Sequence, residues 1–120
     1  MRRDGPYPVV HLELHTGDLA AARALYADLC GWRPNRVELP AGTYEALALS
    51  GEVGGGLVQC PVERPVWLPY VEVPDIDRAS ERARERGAVV VLGPREGYAG
   101  WRSVISSAAG GQLALWQPKR

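Results

Sequence analysis

The segment Val9–Trp32, VVHLELHTGDLAAARALYADLCGW, decides the fold. Its opening alternates. Val10, Leu12 and Leu14 fall on one side and His11, Glu13 and His15 on the other, which is the period of a β-strand. Asp18 follows as a helix N-cap, its carboxylate placed to accept from backbone N–H groups one turn on. Leu19, Ala22, Tyr26 and Leu29 recur at helical spacing and predict an apolar stripe. Gly31 ends the helix in the C′ position, and Trp32 is expected to start the next strand. A weaker copy returns at Leu68–Val90, LPYVEVPDIDRASERARERGAVV. There Asp75 is the cap, Ile76, Ala79 and Ala83 form the stripe, and Gly87 closes the helix.

The remaining segments complete both copies. Arg36–Leu39 and Tyr44–Leu49 read as short strands around the Pro40-Ala41-Gly42 turn. Ser50–Gly56 is rich in glycine. Gly54–Gly56 lacks the spacing of a nucleotide-binding loop and no helix follows it, so it reads as a hairpin turn and a glycine-softened strand start, continued by Leu57–Cys60. Pro61–Pro69 is a proline-rich connector. Val89–Leu92, Arg102–Ser106 and Gln112–Trp116 supply the last strands. Each half therefore reads strand–helix–strand–strand–strand, and neither is large enough to close a core alone. The expected fold class is α+β: two βαβββ modules, about residues 8–60 and 68–118 joined by a connector at 61–67, forming curved mixed sheets around a cleft within a single domain, 1–120.

Composition narrows the function. The 120 residues are 46% hydrophobic and 23% charged, enough to bury a core. Lys+Arg and Asp+Glu are 14 each, a net charge of zero, which argues against nucleic acid as the partner. The arginines of the second helix (Arg78, Arg82, Arg84, Arg86) alternate with Asp77, Glu81 and Glu85 and form a solvated face. Cys30 and Cys60 make no disulfide framework and read as small buried hydrophobes. No apolar run approaches the roughly 18 residues of a membrane span. The opening MRRDGPYP lacks the apolar run of a signal peptide. The expected location is the cytoplasm, with no membrane partner.

The doubled βαβββ order resembles the vicinal oxygen chelate superfamily, which includes glyoxalase I, extradiol dioxygenases and bleomycin-binding resistance proteins. The matching residues are HLELHTGD at His11–Asp18, Leu25-Tyr26 followed by Cys30-Gly31-Trp32, and GGQLALWQ at Gly110–Gln117. The resemblance covers almost the whole chain. It implies an active site in the cleft, metal ligands on the first and last strands of each module, and a homodimer. His11 matches a ligand histidine. Its counterpart before Asp75 is Leu68, and the C-terminal glutamate position is Ala114, neither of which binds a metal. Gln59 is the candidate for the remaining position. A metal-independent protein is therefore expected, with no cofactor. A divalent ion, if held, would take His11, Glu13 and Gln59.

In that geometry the cleft holds His11, Glu13 and His15 from the first half and Leu68, Tyr70 and Glu72 from the second, with Gln59, Ala114 and Trp116. Trp67, Tyr98 and Trp101 lie in loops able to cover it. Glu13, His11 and Tyr70 are the catalytic candidates: a desolvated carboxylate serves as a general base, and a tyrosine at the repeat-equivalent position donates a hydrogen bond. His15, Gln59, Trp67, Glu72, Tyr98, Trp101 and Trp116 are the ligand-binding candidates. Two functions follow. One is sequestration of a small, flat or aromatic molecule. The other is a lyase, isomerase or dioxygenase using His11 and Glu13.

Overall fold

The computed structural model describes residues 6–39, 42–49, 51, 53–97 and 99–119. The elements are β1 (Val9–Thr16), α1 (Leu19–Cys30), β2 (Asn35–Leu39), β3 (Gly42–Ala48), β4 (Gly54–Gln59), β5 (Val66–Glu72), α2 (Ile76–Glu85), β6 (Val89–Glu96), β7 (Gly100–Ser106) and β8 (Gln112–Pro118). This is an α+β chain in which βαβββ occurs twice. It divides into two units: Val10–Leu68, called module one here, and Pro69–Arg120 with Met1–Val9, called module two.

Module one runs β2-β3-β4-β1, antiparallel except for the parallel β1–β4 pair. The parallel pair joins its first and last strands, so α1 and the β2–β3 hairpin lie between them in sequence. Leu14, Ala22, Leu47 and Leu57 form the core, and Leu19, Tyr26, Trp32, Leu49 and Trp67 pack on it. The register sets Leu14 beside Leu57 and Leu47 beside Gly55, which assigns one face of the sheet to α1. Asp18 caps α1 as expected, accepting from the Ala21 N–H at 3.0 Å. Gly31 takes the left-handed conformation at φ 72° that stops the helix.

Several local expectations are corrected. Trp32 does not begin a strand. It stacks on Tyr26 at 5.8 Å, and β2 starts only at Asn35, after Pro34, which has no N–H for a ladder. Leu29 leaves the apolar stripe and is 70% exposed. Cys30 is exposed and Cys60 half-buried, so neither is a buried hydrophobe. Gly54–Gly56 are strand residues of β4, not turn residues. The Leu49 side chain fills the space beside Gly55: a Cβ there would sit 3.0 Å from Leu49 Cδ1.

Module two runs β5-β8-β7-β6 with the same pattern, a parallel β5–β8 pair and antiparallel neighbours beyond it. Val73, Ile76 and Leu115 form its core, flanked by Val71, Ala79, Trp101, Ile105 and Leu113. Asp75 caps α2 through the Arg78 N–H at 3.1 Å. Ser80 is buried in the same helix and donates to the Ile76 carbonyl at 2.7 Å. Its oxygen therefore accepts from Ser103 on β7, 2.8 Å away, because a hydroxyl has one proton to give. The strands outrun the expected bounds: β6 continues to Glu96, β7 begins at Gly100 and β8 ends at Pro118.

Gly100 tolerates no side chain. A Cβ there would run into the Gln117 carbonyl oxygen and lie 2.9 Å from both Pro118 Cα and Trp116 Cη2. Backbone atoms of a paired strand cannot swing aside. Gly100→Ala is expected to cost about 3 kcal/mol, the upper range for overpacking, and to lower the thermal midpoint by roughly 10 °C. Thermal unfolding followed by circular dichroism measures this. Among the described residues no helix is long and apolar enough to cross a membrane.

Candidate functional site

Strand alternation puts His11, Glu13 and His15 on the face of module one turned away from α1. The structure joins the three. His15 Nε2 lies 2.8 Å from Glu13 Oε1, and His11 Nε2 lies 3.4 Å from Glu13 Oε2. An ionised carboxylate has no proton to give, so both imidazoles present an Nε2–H to it. The three side chains are 25%, 14% and 22% exposed in chain order, so the carboxylate is the most enclosed.

The floor beside this triad is nearly bare. On β4, Gly54, Gly56 and Val58 stand opposite His11, Glu13 and His15. On β3, Ala48 and Ala46 continue the rows of Gly54 and Gly56. A Cβ at Gly54 would come within 3.2 Å of His11 Nδ1, so this glycine makes room for the imidazole. A Cβ at Gly56 would lie 3.4 Å from the ring of Tyr44, which therefore reaches over β4 toward the row of Glu13. Tyr44 escapes sequence reading. Alternation along β3 shows that Tyr44 and Glu45 oppose each other, not which of them meets α1. Glu45 does, buried beside Arg23 Nε at 3.1 Å and Arg36 Nε at 3.7 Å.

Gln59 points to the α1 side. Its Oε1 accepts from the Leu19 N–H at 2.9 Å and its Nε2 donates to the Gly17 carbonyl at 2.6 Å. Gln117 does the same in module two, accepting from the Ile76 N–H at 2.9 Å. Gln59 is thus a helix-capping residue and does not share a centre with His11 and Glu13. Gln59→Ala is expected to cost about 1 kcal/mol, the usual worth of a cap, and to lower the thermal midpoint by about 4 °C with the fold retained. Trp67 is also on the α1 side, its indole N–H donating to Tyr26 Oη at 3.2 Å. Trp101 belongs to the α2-facing core. Neither covers a site from a loop. Leu68 is 3% exposed and Ala114 is completely buried, so neither offers a surface to a ligand. Tyr70, Glu72 and Trp116 lie on the face of module two turned away from α2, where Tyr70 and Trp116 rings are 6.0 Å apart. Tyr98 lies outside the described residues.

Among the described residues no three His, Cys, Asp or Glu side chains converge as a metal ion requires. The donors of β1 lie in a line, one imidazole to each carboxylate oxygen, and a chelated ion needs them around one point.

No protein-family model matches the sequence. Over 117 residues the chain is 29% identical to proteins named "Putative glyoxylase CFP32" in Mycobacterium bovis and Mycobacterium tuberculosis. The match takes in 91% of this chain and 45% of those relatives, so the chain spans about half their length. Among solved structures, hypothetical protein BH1468 from Bacillus halodurans aligns over 97% of both chains with a TM-score of 0.73 and 14% identity. Methylmalonyl-CoA epimerase from Mycobacterium tuberculosis aligns over 100% of this chain and 94% of its own, with a TM-score of 0.68 and 19% identity. The chain has the vicinal oxygen chelate fold. The Mn(II)-bound glyoxalase from Novosphingobium aromaticivorans shares this fold, with a TM-score of 0.63 and 17% identity over 91% of this chain and 38% of that one. His11 lies on the first strand, β1. Here its imidazole is committed to a carboxylate two residues away.

Proposed function

We propose that module one is a metal-independent acid–base site that moves a proton on a small carbonyl compound, with Glu13 as the base. The observation that carries this reading is the His11–Glu13–His15 hydrogen-bonded row above a glycine and alanine floor. Among the described residues of module one, the enclosed carboxylates Glu13 and Glu45 differ in their company. Glu45 sits beside guanidiniums, which never give up a proton and so fix it as a structural ion. Glu13 touches two imidazoles, each of which has ring nitrogens able to give and to accept a proton. A carboxylate in such company can take a proton and have it passed on. The floor leaves space for a small flat molecule next to the carboxylate, with Tyr44 as its far wall.

The names of the similar proteins, a glyoxylase and an epimerase, support proton transfer next to a carbonyl as the reaction class. The sequestering alternative draws on Trp67, Trp101 and Trp116 as walls around an aromatic ligand. Trp67 and Trp101 pack toward the helices, and Trp116 stands beside Tyr70 on the other face of module two.

The test is deuterium exchange in D2O. A panel of hydroxyketones, 2-oxo acids and acyl thioesters is incubated with the protein, and loss of the C–H signal next to the carbonyl is followed by NMR. At least one class is expected to exchange faster with protein than without, and to do so equally after treatment with EDTA. Exchange that disappears with EDTA and returns with a divalent ion would overturn the metal-independent reading. No exchange across the panel would overturn the proton-transfer reading.

A further inference from the structure

Module one carries an open groove on its α1 side. Leu14 and Thr16 line it, so it lies on the opposite face of β1 from Glu13 and His15. Its volume is about 350 Å³, at the lower end of the range of small-molecule sites. One bank is α1, where Asp18, Ala21, Ala22 and Leu25 recur at the spacing of one helix face. The other bank is Pro65 and Trp67. Ala21 and Ala22 take up little of the space between the banks. Leu25 at the rim is 53% exposed, leaving apolar surface open to a ligand. Tyr26 and Trp67 form an aromatic wall. Their rings meet edge to face at 5.3 Å, the Trp67 indole N–H donates to Tyr26 Oη, and Trp32 packs against both. A wall tied in this way stands before any ligand arrives, so binding has little to order.

Two polar side chains of the groove have bonding capacity left over. Thr16 is 4% exposed, and its Oγ1 accepts from the Asp18 N–H at 3.0 Å. Among the described residues its own proton has no acceptor, and a buried donor left that way is costly. Asp18 uses one carboxylate oxygen on the Ala21 N–H, and among the described residues no basic side chain pairs with the other. Arg23, the arginine of α1, is held by Glu45. Two residues apart, then, the groove offers one proton to give and one carboxylate oxygen to receive. A single hydroxyl answers both, accepting from Thr16 and donating to Asp18. An ammonium cannot accept and an ether cannot donate. The apolar banks and the paired rings suit a flat ring behind that hydroxyl.

We propose that this groove binds a small phenol, its ring against Tyr26 and Trp67 and its hydroxyl between Thr16 and Asp18. The site does not rest on the proton-transfer reading of Glu13, which concerns the other face of β1.

The probe is p-cresol, added to the full chain while the indole N–H signals of the tryptophans are followed by NMR. Trp67→Phe identifies the Trp67 signal. p-Cresol is expected to shift it saturably, with a Kd on the order of 1 mM. Two analogues test the hydroxyl on the unaltered chain. 4-Methylanisole, which lacks the donor, and 4-methylbenzylammonium, which lacks the acceptor, are expected to bind at least about tenfold more weakly. Asp18→Asn keeps the helix cap, since the two residues rank alike there, but puts a donor where the second oxygen was. Its thermal midpoint should stay within about 4 °C of the parent while p-cresol binds about tenfold more weakly. Ala21→Leu, at an exposed position where leucine keeps the helix, fills the groove and is expected to abolish the shift. Any of three results overturns the proposal. p-Cresol gives no saturable shift of Trp67, or the shift survives Ala21→Leu, or either analogue on the parent chain or p-cresol on Asp18→Asn binds as tightly as p-cresol does on the parent.

Discussion

Glu13→Gln is expected to slow deuterium exchange of a responding substrate by between about a hundredfold and ten-thousandfold, the range that a positioned general base contributes. Glutamine has the size and shape of glutamate but cannot take the substrate proton. Its carbonyl oxygen still accepts from one imidazole. Its amide nitrogen meets the other imidazole as a second donor, and that ring changes tautomer to accept. The row therefore keeps its hydrogen bonds and loses its base. The thermal midpoint should stay within about 4 °C of the parent, corresponding to roughly 1 kcal/mol. His15→Asn removes the partner at 2.8 Å and is expected to give a smaller loss, about tenfold to a hundredfold, because the carboxylate survives. The comparison is made as initial exchange rates at equal protein concentration. An exchange rate for Glu13→Gln within tenfold of the parent would remove Glu13 from the reaction.

Leu57→Ala is expected to be the most damaging simple truncation in module one, at about 3 to 5 kcal/mol. Leu57 is completely buried and lies between Leu14 on β1 and the β3 strand that carries Leu47. Removing its side chain leaves a void between two strands and a helix, none of which can close without breaking ladder bonds. The loss is a large fraction of the stability of an ordinary domain, typically 5–15 kcal/mol. Urea unfolding with intrinsic fluorescence measures it, since Trp32 and Trp67 pack on the same core. Leu29→Ala, on the exposed side of α1, should by contrast change stability by less than about 0.5 kcal/mol. Equal effects at the two positions would show that the core is not where the burial pattern puts it.

The elements of the fold were legible because each has a local cause. Asp18 and Asp75 cap their helices as their side chains require, and Gly31 takes the left-handed conformation where the helix stops. The alternation from Val10 to His15 puts Leu14 in the core and brings His11, Glu13 and His15 together on the other face. What failed was tertiary. Glycine normally marks a turn, and Gly54–Gly56 form a strand only because neighbouring side chains occupy their space. A tryptophan near a strand end reads equally as wall or core, and nothing local tells Trp67 and Trp101 to turn inward. Gln59 reads as a ligand because the bond that claims it comes from Leu19, forty residues earlier.

The two glutamine caps have a consequence in time. Each helix is the second element of its module, yet a donor in its first turn is satisfied by the final strand, through Gln59 for α1 and Gln117 for α2. The parallel pairs β1–β4 and β5–β8 have the same reach. As the chain leaves the ribosome, the first strand and helix of each half must therefore wait for a partner some forty residues behind them. Such distant closure slows folding, and it makes each half settle in a single late step once its last strand emerges.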